Sequence, residues 1–363
     1  MARLELKALA KSFKGNAVLS DISLSTAQGE IVVIFGPSGT GKTVLLRLIA
    51  GVDDLDRGAI LVDGRDVTDV APDRRDIGMA FQNFALFPHM SAFDNIASPL
   101  TARRMNGQAM RDGVMGVARM LKIDHVLDHA PRELSNGQKQ RTALARALAG
   151  SPKILLLDDP LRNVDAKLRY EMRLELPPLL KQSGATVLYV TQDYKEAMAL
   201  ADRIAVLIDG RFVQVASSEE IYLNPASVRV ARLFGDPTIN LIEVVPRESA
   251  VGVAVSIGNK VLELGAGHRA AVGRPALLGV RPEAMRIGAP NGGIAARVIA
   301  VTPLNERAVT LLKTQDGQEI LASQPAQDRT AEPDSDVGIH FDEKDILLFD
   351  QSNGARIGAG AGA

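Results

Sequence analysis

The chain has 363 residues, with 42 basic against 43 acidic side chains, a formal net charge of −1, five histidines and no cysteine. That length allows two or three domains with cores of their own, and the charge balance gives no electrostatic reason to expect a nucleic-acid partner. The absence of cysteine excludes disulfides, thiolate metal sites and cysteine nucleophiles, and the scattered histidines show no metal spacing such as HExxH.

The start, "MARLELKAL", lacks the apolar core and small-residue cleavage site of a secretory signal, and no stretch approaches 18 uncharged apolar residues. The expectation is a cytoplasmic chain that meets a membrane only through a partner. Residues 1–235 read as alternating strands and helices. "RLELKAL" and "AVLSDISLSTAQG" are short strands, and "IVVIF" (31–35) is the continuous apolar run of a strand buried on both faces. "KTVLLRLIAG" follows as a helix that stops at Gly51. "KILLLDDP" and "ATVLYVTQD" are two further inner strands, and the intervening "DAKLRYEMRLELPPLLKQSG" reads as a helix with a Pro-Pro break. "RIAVLIDGRFVQVA" is a hairpin turning at Asp209-Gly210.

Beyond about residue 235 the texture changes. "AVGVAVSI", "KVLELG", "ALLGVRPE", "AARVIAV", "RAVTLLKT", "QEILAS" and "DILLFD" are short alternating runs separated by glycine and charged turns, which predicts a mostly-β, barrel-like accessory domain over 236–350. The tail from 351, ending "NGARIGAGAGA", has too little bulk to fold and is expected to be disordered.

Chemistry enters at "FGPSGTGKTVLLR". Gly36, Gly41, Lys42 and Thr43 complete GxxxxGK[ST] between a predicted strand and a predicted helix, with Pro37, Ser38, Gly39 and Thr40 forming the loop and Val44 following it. Glycines let backbone wrap phosphate oxygens without a Cβ in the way, and the helix aims unpaired N–H groups at the same anion. Lys42 is placed to reach the terminal phosphates and Thr43 to sit on Mg²⁺. "ILLLDD" (154–159) supplies Asp158, a strand-end carboxylate able to hold Mg²⁺ through water, and Asp159, directed at the water that attacks the γ-phosphate.

At "LSNGQKQRTALARAL" the chain resembles the ATP-binding cassette (ABC) proteins, whose signature is usually written LSGGQ. The remaining motifs come in order: Gln82 in "MAFQNFALFP" matches the Q-loop, Asp165 in "NVDAKLR" the D-loop, and "YVTQDYKEAMALADRIAVL" the switch region. "VAPDRRDIGMAFQNFALFPHMSAFDNIASPL" and "GVRPE" resemble the maltose-type sugar-importer ATPases, the latter within an OB-like TOBE domain. The fold so implied is a P-loop NTPase of α/β class, a RecA-like core with antiparallel-β and helical subdomains, followed by the β accessory domain. The resemblance implies ATP as ligand with Phe13 stacked on adenine, Gln82 near the metal and the attacking water, and two ATPase subunits head to tail. In that arrangement Ser135, Gly137 and Gln138 reach the nucleotide on the partner and Asp165 links the two sites. It also implies permease subunits docked near 82–95, with Phe84, Leu86 and Phe87 as an apolar contact face, and indirectly a solute-binding protein.

Three positions depart from the family pattern. The usual glutamate after the strand-end aspartate is Asp159, the usual switch histidine is Gln192, and Asn136 replaces the first signature glycine. Gln192 can donate a hydrogen bond but carries no positive charge, and a water-positioning carboxylate displaced by about 1 Å can cost about a hundredfold in rate. ATP binding is expected to survive these changes. Catalysis rests on Lys42, Gln82, Asp159 and Gln192, and the alternative expectation is a weakly hydrolysing partner within a heterodimeric motor. Repair or translation proteins with the same cassette usually need basic surfaces or long insertions, neither of which this neutral chain has.

Overall fold

The computed structural model describes residues 3–290, 293–328 and 331–358. The chain divides into two compact units, Met1–Glu219 and Glu220–Ala363.

The first unit contains two sheets. β1 (Leu4–Phe13) and β2 (Asn16–Thr26) form a long antiparallel pair. β4 (Arg57–Val62) and β5 (Arg65–Asp66) extend it in the order β2-β1-β4-β5. The second sheet runs β10-β9-β3-β8-β7-β6. Its strands are β3 (Ile31–Phe35), β6 (Ile77–Ala80), β7 (Ile154–Asp158), β8 (Thr186–Thr191), β9 (Arg203–Ile208) and β10 (Arg211–Ala216). All pairs are parallel except the β9–β10 hairpin. Every residue of β3, β7 and β8 is buried, as their continuous apolar sequences require of central parallel strands. Helix α1 (Lys42–Ala50) packs Leu45, Leu46 and Leu48 into the same core as Ile34, Leu156 and Leu188. A helical layer is built from α2 (Ala92–Ala102), α3 (Gly107–Met120) and α4 (Asn136–Leu148), which pack on one another.

Helix α5 (Ala166–Ser183) corrects one expectation: Pro177 and Pro178 lie inside it without breaking it. Each proline deletes one bond to the carbonyl four residues earlier, and one of those acceptors belongs to Leu174, which is 63% exposed and open to water. Met172, Leu176 and Leu180 form a buried stripe at four-residue spacing that holds the helix down. Helix α6 (Tyr194–Leu200) follows β8.

The second unit opens before the strands do, at Glu220 and not at the expected 236. α7 (Ser218–Leu223) runs into it, and α8 (Val228–Leu233) belongs to it. Buried Arg281 explains why: its guanidinium donates to Tyr222 O and Phe234 O, both at 2.6 Å, and lies 3.6 Å from the centre of the Tyr222 ring. Glu283 accepts from the Tyr222 hydroxyl. "GVRPE" thus fastens the preceding helical segment to the sheet, a link between residues about 50 apart that no local pattern announces. Every ladder that follows is antiparallel, in sheets β11-β15-β21-β22, β12-β13-β14 and β16-β20-β17-β18-β19. The strands are β11 (Asn240–Val244), β12 (Arg247–Glu248), β13 (Val253–Ile257), β14 (Lys260–Leu264), β15 (Ala276–Val280), β16 (Arg286–Gly288), β17 (Ile294–Leu304), β18 (Arg307–Thr314), β19 (Glu319–Pro325), β20 (Asp336–His340), β21 (Ile346–Asp350) and β22 (Arg356–Ile357). One apolar cluster, including Val255, Leu278, Leu312 and Leu348, draws on all three sheets.

The expected disordered tail is only partly outside this frame. Arg356–Ile357 pairs with β21 and Ile357 is buried; the backbone N–H of Arg356 also donates to Ala226 O at 3.0 Å. The remainder, 359–363, lies outside the described residues. Ending the chain after Gly354 removes these ladder bonds and the buried isoleucine, and is expected to cost about 3 kcal/mol. Urea unfolding of the two chains compares their stabilities directly.

Candidate active site

Residues 36–41 leave the C-terminal end of β3 and turn into α1. Gly41 sits at φ 97° as the N-cap of that helix, and a Cβ there would lie 2.8 Å from Leu19 Cδ2. At Gly36 a Cβ would lie 2.2 Å from Leu207 O. The loop can approach β2 and β9 this closely only with glycine at both places. Thr40 Oγ1 donates to Pro37 O at 3.0 Å and pins the turn. The side chain of Lys42 is buried and folds back on the loop, its Nζ donating to Gly36 O at 2.8 Å and Pro37 O at 2.6 Å. Burial pulls its pKa down, opposed by the carboxylates of Asp159 and Asp158.

Two strands away, β7 ends in Asp158. Thr43 Oγ1 donates to its Oδ1 at 3.0 Å, so the loop helix and the strand-end acid are joined across the sheet. Burial pushes the Asp158 carboxyl up, offset by the Thr43 hydrogen bond and by Lys42. Asp159 follows in the left-handed region, φ 44°, its N–H donating to Val190 O at 2.9 Å. Few side chains adopt that backbone, aspartate among the more tolerant. Burial raises its pKa too, with the Arg162 guanidinium opposing.

These groups surround one cavity of about 250 Å³, lined by Val18, Ser38, Gly39, Gly41, Lys42, Thr43, Val44, Gln82, Asp158, Asp159, Arg162, Val190 and Gln192. Most of the predicted loop, both aspartates, Gln82 and Gln192 are therefore in one place. Gly36, Pro37 and Thr40 support the loop from outside that lining. Phe13 does not line it: the ring ends β1, 44% exposed, with Lys11 Nζ 5.2 Å from its centre. Ser135, Gly137 and Gln138 also stand apart, at the start of α4. Ser135 caps that helix by accepting from Gln138 N, while Gln138 Oε1 accepts from Ser135 N at 2.9 Å. Asp165 caps α5 by accepting from Leu168 N at 3.0 Å.

Several participants were not foreseen. Arg162 lines the cavity three residues beyond Asp159. Arg169 donates to the carbonyls of Arg162 and Val164 at 3.3 and 3.1 Å, holding the segment between the aspartates and α5. Glu196 lies buried under the switch segment, accepting from Tyr189 Oη at 2.8 Å and Thr191 Oγ1 at 2.9 Å. Its sequence cue was only an acid in an amphipathic helix. Burial, the larger effect, raises its pKa to about 7 against those two hydrogen bonds, with Asp193 and Asp159 adding to the rise.

A second concavity, about 550 Å³, is lined by residues that flank Gln82 in the chain. Its apolar wall is Phe81, Ala85 and Phe87 together with Pro99 of α2; Phe84 and Leu86, expected to form the contact face with Phe87, do not line it. Phe84 and Ala85 both take left-handed backbone, φ 62° and 46°.

A glycine loop wrapped onto a helix N-terminus, bonded to a strand-end aspartate in a parallel sheet, defines a P-loop ATPase, and the chain belongs to the ABC transporter family of ATP-binding subunits. The family model described as ABC transporter matches residues 19–162, and the one described as TOBE domain matches residues 278–349. The chain is 39% identical over 360 residues to the sn-glycerol-3-phosphate import ATP-binding protein UgpC of Escherichia coli O1:K1 / APEC, covering 98% of this chain and 100% of that protein. It is 38% identical over 365 residues to UgpC of Roseobacter denitrificans, with the same coverage. Among solved structures it is similar to the dimeric ATP-binding cassette MJ0796 in a post-hydrolysis state bound to ADP and Pi. That match has 32% identity and a TM-score of 0.54, and covers 59% of this chain and 98% of that one.

The Glu196 carboxyl yields a test. Unfolded, it ionises near its ordinary 4.5; folded, near 7, so in that window the folded chain binds more protons. Its contribution to stability is complete below pH 4.5 and declines as pH rises to about 7, by on the order of 3 kcal/mol. Glu196→Gln is expected to remove that part of the decline, read from urea midpoints measured across pH 4.5–7.5.

Proposed function

We propose that the chain binds and hydrolyses ATP to drive import of a small polar solute, a sugar, polyol or polyol phosphate, through a membrane permease. The observation that carries this reading is the convergence of Lys42, Thr43 and Asp158 on one cavity at the end of a parallel sheet. The hydroxyl and carboxylate of Thr43 and Asp158 are hard oxygen ligands already side by side, as Mg²⁺ prefers when phosphates complete its shell. Mg²⁺, once bound there with Gln82 nearby, supplies charge neutralisation on the phosphates. The chain's own groups do the rest. The loop 36–44 binds phosphate through backbone N–H groups, Lys42 exchanges its two carbonyl partners for phosphate oxygens, and Asp159 orients the attacking water.

The relatives' printed role in import supports a pair of ATPase subunits at the cytoplasmic face of the membrane, with permease subunits as partners and a solute-binding protein acting through them. Ser135, Gly137 and Gln138 lie outside their own chain's cavity, as residues serving a partner's nucleotide must. Phe13 is left exposed at a strand end, free to meet adenine. The groove walled by Phe81, Ala85 and Phe87 is the docking face for a permease helix. The N-terminal unit is the nucleotide-binding half and the second unit the TOBE accessory half. No membrane-crossing helix occurs among the described residues.

Asp159 and Gln192 favour slow turnover: one carboxylate is a methylene short and the switch side chain is uncharged. With the assembled transporter, Lys42→Ala is expected to abolish ATP binding. Asp159→Glu with Gln192→His is expected to raise steady-state hydrolysis about tenfold or more. Equal turnover in the double variant and the parent, with two copies of this chain by native mass spectrometry, sinks the slow-motor reading and leaves an ordinary homodimer.

A further inference from the structure

Lys42 and Arg162 are the cations that line the phosphate cavity among the described residues. Lys42 is committed to its own loop by two short hydrogen bonds. Arg162 is not committed in this way. Its side chain is 51% exposed, and its Nη1 stands 3.8 Å from Asp159 Oδ2, too far for a hydrogen bond. Among the described residues its guanidinium donates no hydrogen bond. Its backbone, by contrast, is held firmly: its N–H donates to Asp159 O at 3.3 Å, and its carbonyl accepts from Arg169. A fixed backbone carries into the phosphate cavity a guanidinium that is half-exposed and held only by the long ion pair to Asp159, an arrangement suited to taking a phosphate as partner. Arg162 also lines the adjoining space shared by Gln192, Asp193 and Glu196, so it bridges the switch segment and the phosphate loop.

We propose that Arg162 is a catalytic residue that grips the terminal phosphate of ATP bound in its own chain, supplying the positive charge that Gln192 lacks. The inference rests on the cavity being an ATP site. In hydrolysis the water oxygen bonds to the γ-phosphorus while the bond from that phosphorus to the β–γ bridging oxygen breaks. The bond's electron pair stays on ADP and the water's proton leaves toward Asp159. Arg162 meets the charge on the transferred oxygens with a planar pair of donors that matches them.

The experiment compares the full chain with Arg162→Ala and Arg162→Lys. Equilibrium titration with Mg-ATP and Mg-ADP is run at protein concentrations spanning the monomer–dimer transition, and hydrolysis is measured in the assembled transporter. The alanine variant is expected to bind ATP about tenfold or more weakly while ADP binding changes less than about twofold, in monomer and dimer alike. Hydrolysis is expected to fall about a hundredfold or more, with lysine intermediate in both. Equal changes for the two nucleotides, or none, overturn the proposal, as does a loss confined to the dimer, which assigns Arg162 to the partner's nucleotide. Faster hydrolysis in the alanine variant also overturns it, since Arg162 then merely restrains Asp159. A parent chain that binds neither nucleotide overturns the ATP reading itself, and this inference with it.

Discussion

The site depends on one constraint, the alignment of β3 and β7 on either side of β8. Phe35 pairs with Thr191 and Asp158 with Val190, so the phosphate loop, the paired aspartates and the switch segment leave the sheet at one level. Parallel strands create this edge because all their carboxyl ends point the same way, and ligands collect there for that reason. A slip of one residue in β7 would carry Asp158 about 3.3 Å along the strand. The 3.0 Å hydrogen bond from Thr43 cannot survive that displacement. The alignment is protected by burial, since every residue of these three strands is enclosed and the α1 leucines pack on them.

Burial that secures the sheet also sets the electrostatics at its edge. Desolvation works against the charged forms of Lys42, Asp158 and Asp159 together, and it is opposed at Lys42 by Asp159 and Asp158, at Asp158 by the Thr43 hydrogen bond and Lys42, and at Asp159 chiefly by Arg162. Such a cluster is poised for an occupant that carries both signs, as a metal-bound polyphosphate does. Lys42 shows the same logic in its partners. Its ammonium rests on carbonyl dipoles that a phosphate oxygen, being fully charged, outcompetes.

What the sequence disclosed of this follows a physical division. The phosphate loop and Asp158 were legible because their chemistry demands fixed residue types at fixed spacing, with strand and helix patterns on either side. The β-rich second unit was legible from period-two alternation. Arg162, Arg169 and Glu196 were not, since an arginine in a loop or an acid in an amphipathic helix means nothing until the chain brings its partner near. The same holds for the unit boundary, which is set by Arg281 reaching back about 50 residues to the Phe234 carbonyl. Pro177-Pro178 misled for a related reason: local propensity favours a break, and the buried Met172, Leu176 and Leu180 stripe overrides it.

The segment from Gln82 to Asn95 lies between the nucleotide cavity and the apolar groove, and its restraints determine what it can transmit. Asn163, one position beyond Arg162 of the cavity rim, donates to Gln82 O at 2.9 Å. Arg146 of α4 donates to Ala85 O at 2.6 Å and Phe84 O at 3.0 Å, and lies 5.6 Å from the centre of the Phe87 ring. Buried Asn95 ties down the far end, accepting from Phe87 N and donating to the carbonyls of Phe87, Met90 and Ser91. Each of those partners is a backbone group, so side chains from outside the loop add to its own turns, such as Phe84 N–H to Phe81 O and Met90 N–H to Phe87 O, in shaping it. Loss of the part-buried bonds made by Asn95 would leave polar groups short of partners, whereas water can replace the exposed ones made by Asn163 and by Arg146 to Ala85 O. Gln82, at the nucleotide cavity, and Phe87, at the groove, thus belong to one segment whose backbone is bonded to Asn163, to Arg146 of α4 and to Asn95 of α2.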